Sequence, residues 1–146
     1  MSPALAFSTG NTLALLCWLA LALSLFVAPM RAWTWRTTSL IVPALLAIAY
    51  VVLIVAGWGR TPDGGFGSIG QVRALFADDA ALTAGWLHYL AFDLFVGTWI
   101  ARTGLSEAVH PLLLVPCLAL AFLFGPAGLL LFLALRLVLA RKGDVQ

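Results

Sequence analysis

The sequence predicts an all-α fold, a four-helix transmembrane bundle with a short interfacial helix in the 58–79 loop. Three observations predict it. Of 146 residues, 63% are hydrophobic and only 10% charged, where a soluble domain carries about 25% charged residues. The mean hydropathy is +1.06. Four apolar stretches, near residues 10–30, 37–57, 80–101 and 110–135, are each long enough to cross a hydrocarbon core of about 30 Å, which takes about 20 helical residues. Together they make a single integral membrane domain over residues 1–146. The net charge of +2 is spread along the chain without a basic tract, so nucleic acid is not an expected partner. The bilayer and a lipid-soluble small molecule are expected partners, and homo-oligomerisation is left open.

The first span has no Lys or Arg before its apolar run and no clean small-residue cleavage site after it, so it reads as a retained helix rather than a signal peptide. The second contains Pro43. After it comes Gly59-Arg60-Thr61-Pro62-Asp63-Gly64-Gly65-Phe66-Gly67, whose glycines and proline supply turns. The run Gly64–Gly67 lacks the Lys and Ser/Thr that follow in a phosphate-binding loop. Beyond it, Ile69, Val72 and Phe76 recur at helical spacing while Arg73 faces elsewhere, as in a helix lying in the headgroup plane. The fourth span opens at His110-Pro111, a first-turn proline that loses no hydrogen bond. Within it, Leu123-Phe124-Gly125-Pro126-Ala127-Gly128 is an irregularity that either kinks and packs the helix or shapes a pocket.

Four spans place both termini on one face, here side A, together with the 58–79 loop; side B carries the loops 31–36 and 102–109. Side A then has Arg60, Arg73, Arg136, Arg141 and Lys142 against Arg31, Arg36 and Arg102 on side B. The excess of basic residues predicts cytoplasmic termini. Trp33, Trp35 and Trp58 at span ends read as an aromatic belt, and Glu107 as a solvated loop charge or helix-start anion.

Asp93 is the only charged side chain between Ala80 and Ala101. A carboxylate at bilayer depth costs several kcal/mol unless it is protonated or paired, which marks it as a candidate functional group. At 100° per residue, Trp86, Tyr89, Leu90, Asp93 and Gly97 share one face of the third span, and His88 lies about 140° away with Phe92, Phe95 and Trp99. Counted from side A, His88 is roughly 13 Å deep and Asp93 roughly 20 Å. Antiparallel neighbours bring Cys17, Tyr50 and Phe122 to the His88 layer, and Pro43 and Pro116 to the Asp93 layer. A direct His88–Asp93 pair does not fit one regular helix, but both could flank one substrate if the third span is central. The alternative is purely structural: Asp93 bonded to a carbonyl freed by a proline, at Ser39 or Leu112, and His88 bonded to Tyr50. Trp86, Tyr89, Tyr50, Trp99 and Phe122 are the candidate substrate-binding residues, able to line a groove for a flat conjugated ligand. No metal and no cofactor is expected: His88 and His110 lie roughly 20 Å apart along the bundle normal, and Cys17 and Cys117 have no metal-ligand spacing.

Two motifs carry a resemblance. The run Gly85-Trp86-Leu87-His88-Tyr89-Leu90-Ala91-Phe92-Asp93-Leu94-Phe95-Val96-Gly97, completed by Trp99, and Val115-Pro116-Cys117 followed by Leu123-Phe124-Gly125-Pro126-Ala127-Gly128 resemble the signatures of the abscisic-acid-deficient-four-like family. Asn11-Thr12 at the start of helix one extends the likeness over almost the whole chain. The family was long catalogued as a domain of unknown function, and its plant members are neoxanthin synthases of plastid membranes. Lacking a transit peptide, this chain resembles a prokaryotic-type member of a bacterial inner membrane. The resemblance implies redox-neutral isomerisation of a carotenoid: a proton delivered to an epoxide oxygen and another removed from the adjacent polyene carbon. Asp93 is then the candidate acid and His88 the candidate base. A non-catalytic carotenoid- or quinone-binding subunit or scaffold is the alternative, and a proton-coupled transporter the third reading.

Overall fold

The computed structural model describes residues 2–143, and side chains as far as residue 139. Its helices are α1 (Pro3–Ser24), α2 (Ala28–Gly57), α3 (Ile69–Leu75), α4 (Asp79–Ser106), α5 (Pro111–Phe124) and α6 (Pro126–Gly143). No strand occurs among the described residues. Three helices, α1, α2 and α4, are long and apolar enough to cross a membrane.

Local chemistry sets the helix starts. Ser2 accepts from the Leu5 N–H and Pro3 occupies the first turn. Ser68 accepts from Gln71 to open α3, and Asp78 Oδ1 takes the N–H groups of Ala80 and Ala81 at 2.9 and 3.0 Å to open α4. Such caps satisfy donors that have no partner inside the helix. The first span therefore begins at Pro3 rather than near residue 10. The polar stretch Ser8–Thr12 does not delay it, because side chains such as Thr12, whose hydroxyl donates to the Ser8 carbonyl at 3.0 Å, are satisfied within the helix. The 31–36 stretch, expected as a loop, is helical and continuous with α2. Arg31 folds back to donate to the carbonyls of Ser24 and Leu25 at 3.0 and 2.9 Å, closing the end of α1.

Helix α4 is central. It runs parallel to α1, with Gly10 against Leu87 and Trp18 across Gly97. It runs antiparallel to α2, with Gly57 beside Ala80, Tyr50 beside His88 and Thr38 beside Thr98. The hydroxyls of Thr38 and Thr98 are 2.6 Å apart and fully buried. Thr38 lies in a π-helical turn, Thr37–Ile41, directly before Pro43. Proline cannot supply the N–H that the preceding turn needs, and the wider turn is the accommodation. The short helix expected in the 58–79 connection forms as α3, with Trp58, Phe66 and Ile69 more than 80% exposed around it and the Phe76 ring closing over Gly85 of α4.

The expected fourth span, 110–135, is not one helix, so the fold is not a simple four-helix bundle. At Gly125 the backbone takes φ +46°, ψ −95°, and α6 returns alongside α5. Gly128 rests against the backbone of Cys117 and Ala121, Phe132 meets Trp99 edge-on at 5.5 Å, and Arg136 pairs with Glu107, its Nε donating to Oε2 at 2.8 Å. The 14 residues of α5 reach only about 21 Å, short of a full crossing. The two helices form a re-entrant hairpin that enters from side B and goes back there. Gly125 and Gly128 are what permit it: the first takes a positive φ without a Cβ penalty, the second lets two backbones touch. Arg136 therefore lies at side B beside Glu107, not at side A, and the start of α1 and the end of α6 lie on opposite faces. Arg141 and Lys142 continue the same helix; their side chains lie outside the described residues.

Candidate functional site at the hairpin tip

Asp93 sits about 20 Å along α4 from Asp79, at the middle of the helix. Its carboxyl abuts the hairpin tip so closely that a Cβ on Gly125 would stand 2.8 and 2.9 Å from its two oxygens. Oδ2 is buried with no hydrogen-bond partner. An unpaired buried oxygen is costly and rare in folded proteins, and here it faces the residue from which α6 starts, the positive end of that helix's dipole. Neither the Ser39 nor the Leu112 carbonyl partners it. Pro43 is level with Asp93, bracketed by the Tyr50–His88 and Thr38–Thr98 contacts, but on the α2 side of α4. Pro116 is not, since neighbouring Leu114 packs on Gly104, nearer side B.

The face of α4 around Asp93 is aromatic. Tyr89, one turn toward side A from Asp93, stacks with Trp86 at 5.2 Å. Trp86 Nε1 donates to Asn11 Oδ1 at 2.8 Å, and Phe7 lies against the same indole at 5.8 Å. On the other flank Trp18 pairs with Phe122 at 5.6 Å. Trp86 is 40% and Phe122 36% exposed. Because the hairpin ends at mid-depth, nothing from α5 or α6 covers α4 between Asp93 and side A. This leaves the rings of Trp86 and Tyr89 as an aromatic face of α4 between the Asp93 carboxyl and side A.

The sequence-predicted residues divide among four places. Asp93, Tyr89 and Trp86 share one face of α4 beside the hairpin tip. Phe122 lies against Trp18 at the Gly97 level, and not in the His88 layer, because the chain reverses three residues later. His88 and Tyr50 lie across α4, their rings 6.0 Å apart without a hydrogen bond, and His88 stacks on Phe92 at 4.5 Å with its ring exposed. The structure does not bring His88 and Asp93 into one pocket. Trp99 is nearer side B, against Phe132. Cys17 adjoins Trp18 and is buried, as is Cys117, whose thiol lies 3.4 Å from the Leu113 carbonyl. Among the described residues no three His, Cys, Asp or Glu side chains converge as metal ligands. Phe7 and Trp18 carry no signal in the sequence, and Asn11 entered only through the resemblance; as a lone amide in an apolar helix it was the available signal for the Trp86 partner.

The model of the ABA DEFICIENT 4-like (ABA4-like) family matches residues 5–132, a stretch that includes α1, α2, α4, α5 and the hairpin tip. No curated protein and no solved structure matches the chain. The family is associated with carotenoid, neoxanthin-related function. Three helices able to span a bilayer, a re-entrant pair and this match lead to one conclusion: the chain is a membrane protein that belongs to the ABA4-like family.

Proposed function

We propose that the protein is a redox-neutral carotenoid isomerase whose substrate enters from the side-A leaflet into a cleft over the Trp86–Tyr89 face of α4 and reacts at Asp93. The observation that carries this reading is the Asp93 carboxyl, half-buried midway along α4 with Oδ2 unpartnered and the rings of Trp86 and Tyr89 on the same helix face. Trp86, Tyr89 and Phe122 offer flat faces to a polyene. The chemistry needs one proton given and one taken. With His88 opening on the opposite side of α4, both transfers fall to the Asp93 carboxyl: in its neutral form it donates to an epoxide oxygen, the C–O bond opens, and the resulting carboxylate removes the proton from the neighbouring polyene carbon. The acid is regenerated and no electrons are exchanged. Tyr89 orients the carboxyl.

The test is expression in a host that accumulates 5,6-epoxycarotenoids, with pigments extracted and resolved by chromatography and mass. A new product of unchanged mass is expected. A second reading, a non-catalytic carotenoid-binding subunit, draws support from the same aromatic rings and from the cleft's having no second carboxyl. It expects pigment to co-purify chemically unaltered.

The hairpin also bears on orientation. Side B gathers Arg31, Arg36, Arg102 and Arg136 together with the α6 end carrying Arg141 and Lys142, against Arg60 and Arg73 on side A. This reverses the count that four spans would give, so side B is read as cytoplasmic, in a plasma membrane. A fluorescent protein fused to the C-terminus should light up in the cytoplasm, and an N-terminal cysteine tag should be labelled from outside intact cells. Labelling only after lysis would refute the assignment.

A further inference from the structure

On the side of α4 away from Asp93, between α2 and α4, two cavities join. The first, about 610 Å³ at side B, has Arg31 and Arg102 at its rim, Trp35 and Trp99 as walls and Thr103 and Ser106 beside them; no carboxylate lines it. The second is an apolar groove of about 360 Å³ along Pro43, Ala44, Ala47, Ala91 and Phe92. Ser39 and Phe95 line both, so the two adjoin. The groove exists because alanines face it from both helices and because the π-turn before Pro43 offsets α2. From Arg31 to Ala47 the helix rises roughly 24 Å, the length of a long acyl chain.

Charge is arranged along this path with one sign at one end. Arg31 is held in place by the two carbonyls closing α1. The Arg102 guanidinium sits 5.8 Å from the Trp35 ring, a cation–π contact that steadies it without neutralising it. Two positioned cations with no acid between them suit a phosphate, and the groove below suits a hydrocarbon tail. We propose that this is a binding site for an anionic phospholipid of the side-B leaflet, its phosphate between Arg31 and Arg102 and one acyl chain along Ala44, Ala47 and Ala91. The site lies across α4 from the Asp93 cleft and does not depend on that reading. Its occupant wedges α2 against α4 where the Thr38–Thr98 contact joins them.

Native mass spectrometry of the purified protein with chain-matched phosphatidylglycerol and phosphatidylcholine tests this. Phosphatidylglycerol should be retained preferentially, and Arg102→Gln should reduce that preference about fivefold, the effect of one basic residue near an anionic surface. Arg31 also closes α1, so the second variant is Ala47→Leu, which fills the groove and leaves both arginines; it too should weaken retention, while Asp93→Asn leaves it unchanged. Equal retention of the two lipids, a preference that survives Arg102→Gln, or displacement by inorganic phosphate alone would each overturn the proposal.

Discussion

Asp93→Asn is expected to lower formation of the isomerised carotenoid at least 100-fold while leaving membrane insertion and the yield of folded protein unchanged. The magnitude follows from the role: a positioned general acid contributes about 10²–10⁴-fold. Asparagine has nearly the same shape, so it fits against Gly125, where a Cβ would already stand within 3 Å of the carboxyl oxygens. What it lacks is a proton to give and a charge to take one back. Asp93→Glu keeps the acid but adds a methylene that the hairpin tip leaves no room for, and should also lose most activity. Product yield from pigment extracts, normalised to protein measured by fluorescence-detected size exclusion, separates chemistry from folding. Undiminished yield with Asn at 93 removes the carboxyl from the mechanism, and Asp93 then becomes a packing group at the tip.

The largest effect on stability should come from Gly128→Val. A Cβ there would run into the Cys117 carbonyl and the Ala121 N–H, which are main-chain atoms within α5 and cannot swing aside. Overpacking of this kind costs about 3 kcal/mol or more, which corresponds to a fall of roughly 10 °C in Tm for a chain of this size. The hairpin would part from itself, and with it the tip that faces Asp93, so activity should fall in step with stability. Gly70→Ala in α3 is the control, because a Cβ at Gly70 meets only Ser68 Oγ, at 3.7 Å. Thermal denaturation in detergent followed by size exclusion reads both. A Gly128→Val protein as stable as the parent would mean that α5 and α6 do not pack as described.

How much of this was legible beforehand depends on what hydropathy encodes. Apolar helices long enough to span a bilayer, the α4 face with Trp86, Tyr89 and Asp93, and the angular separation of His88 follow from composition and the 3.6-residue repeat, and the structure has them. The chain reversal at Gly125 does not follow, because both limbs of the hairpin are apolar throughout. In lipid there is no wet face to alternate against, so a helix that returns and one that continues carry the same pattern. Gly125-Pro126-Ala127-Gly128 marks the irregularity, but its direction is fixed only by contacts distant in sequence, Glu107 with Arg136 and Trp99 with Phe132. The misplacement of Phe122, the opposite termini and the reversed count of basic residues all descend from that one turn. The early start of α1 has a different origin, since window averages penalise Ser8, Thr9, Asn11 and Thr12, although Thr12 is satisfied within the helix and Asn11 accepts from Trp86.

The hairpin gives the molecule unequal cross-sections. Five helices occupy the side-B half of the bilayer and three the side-A half, and with each helix about 10 Å across the difference is roughly 160 Å² of lateral area. An unliganded molecule is thus a wedge, broad toward side B, that displaces more lipid from one monolayer than from the other.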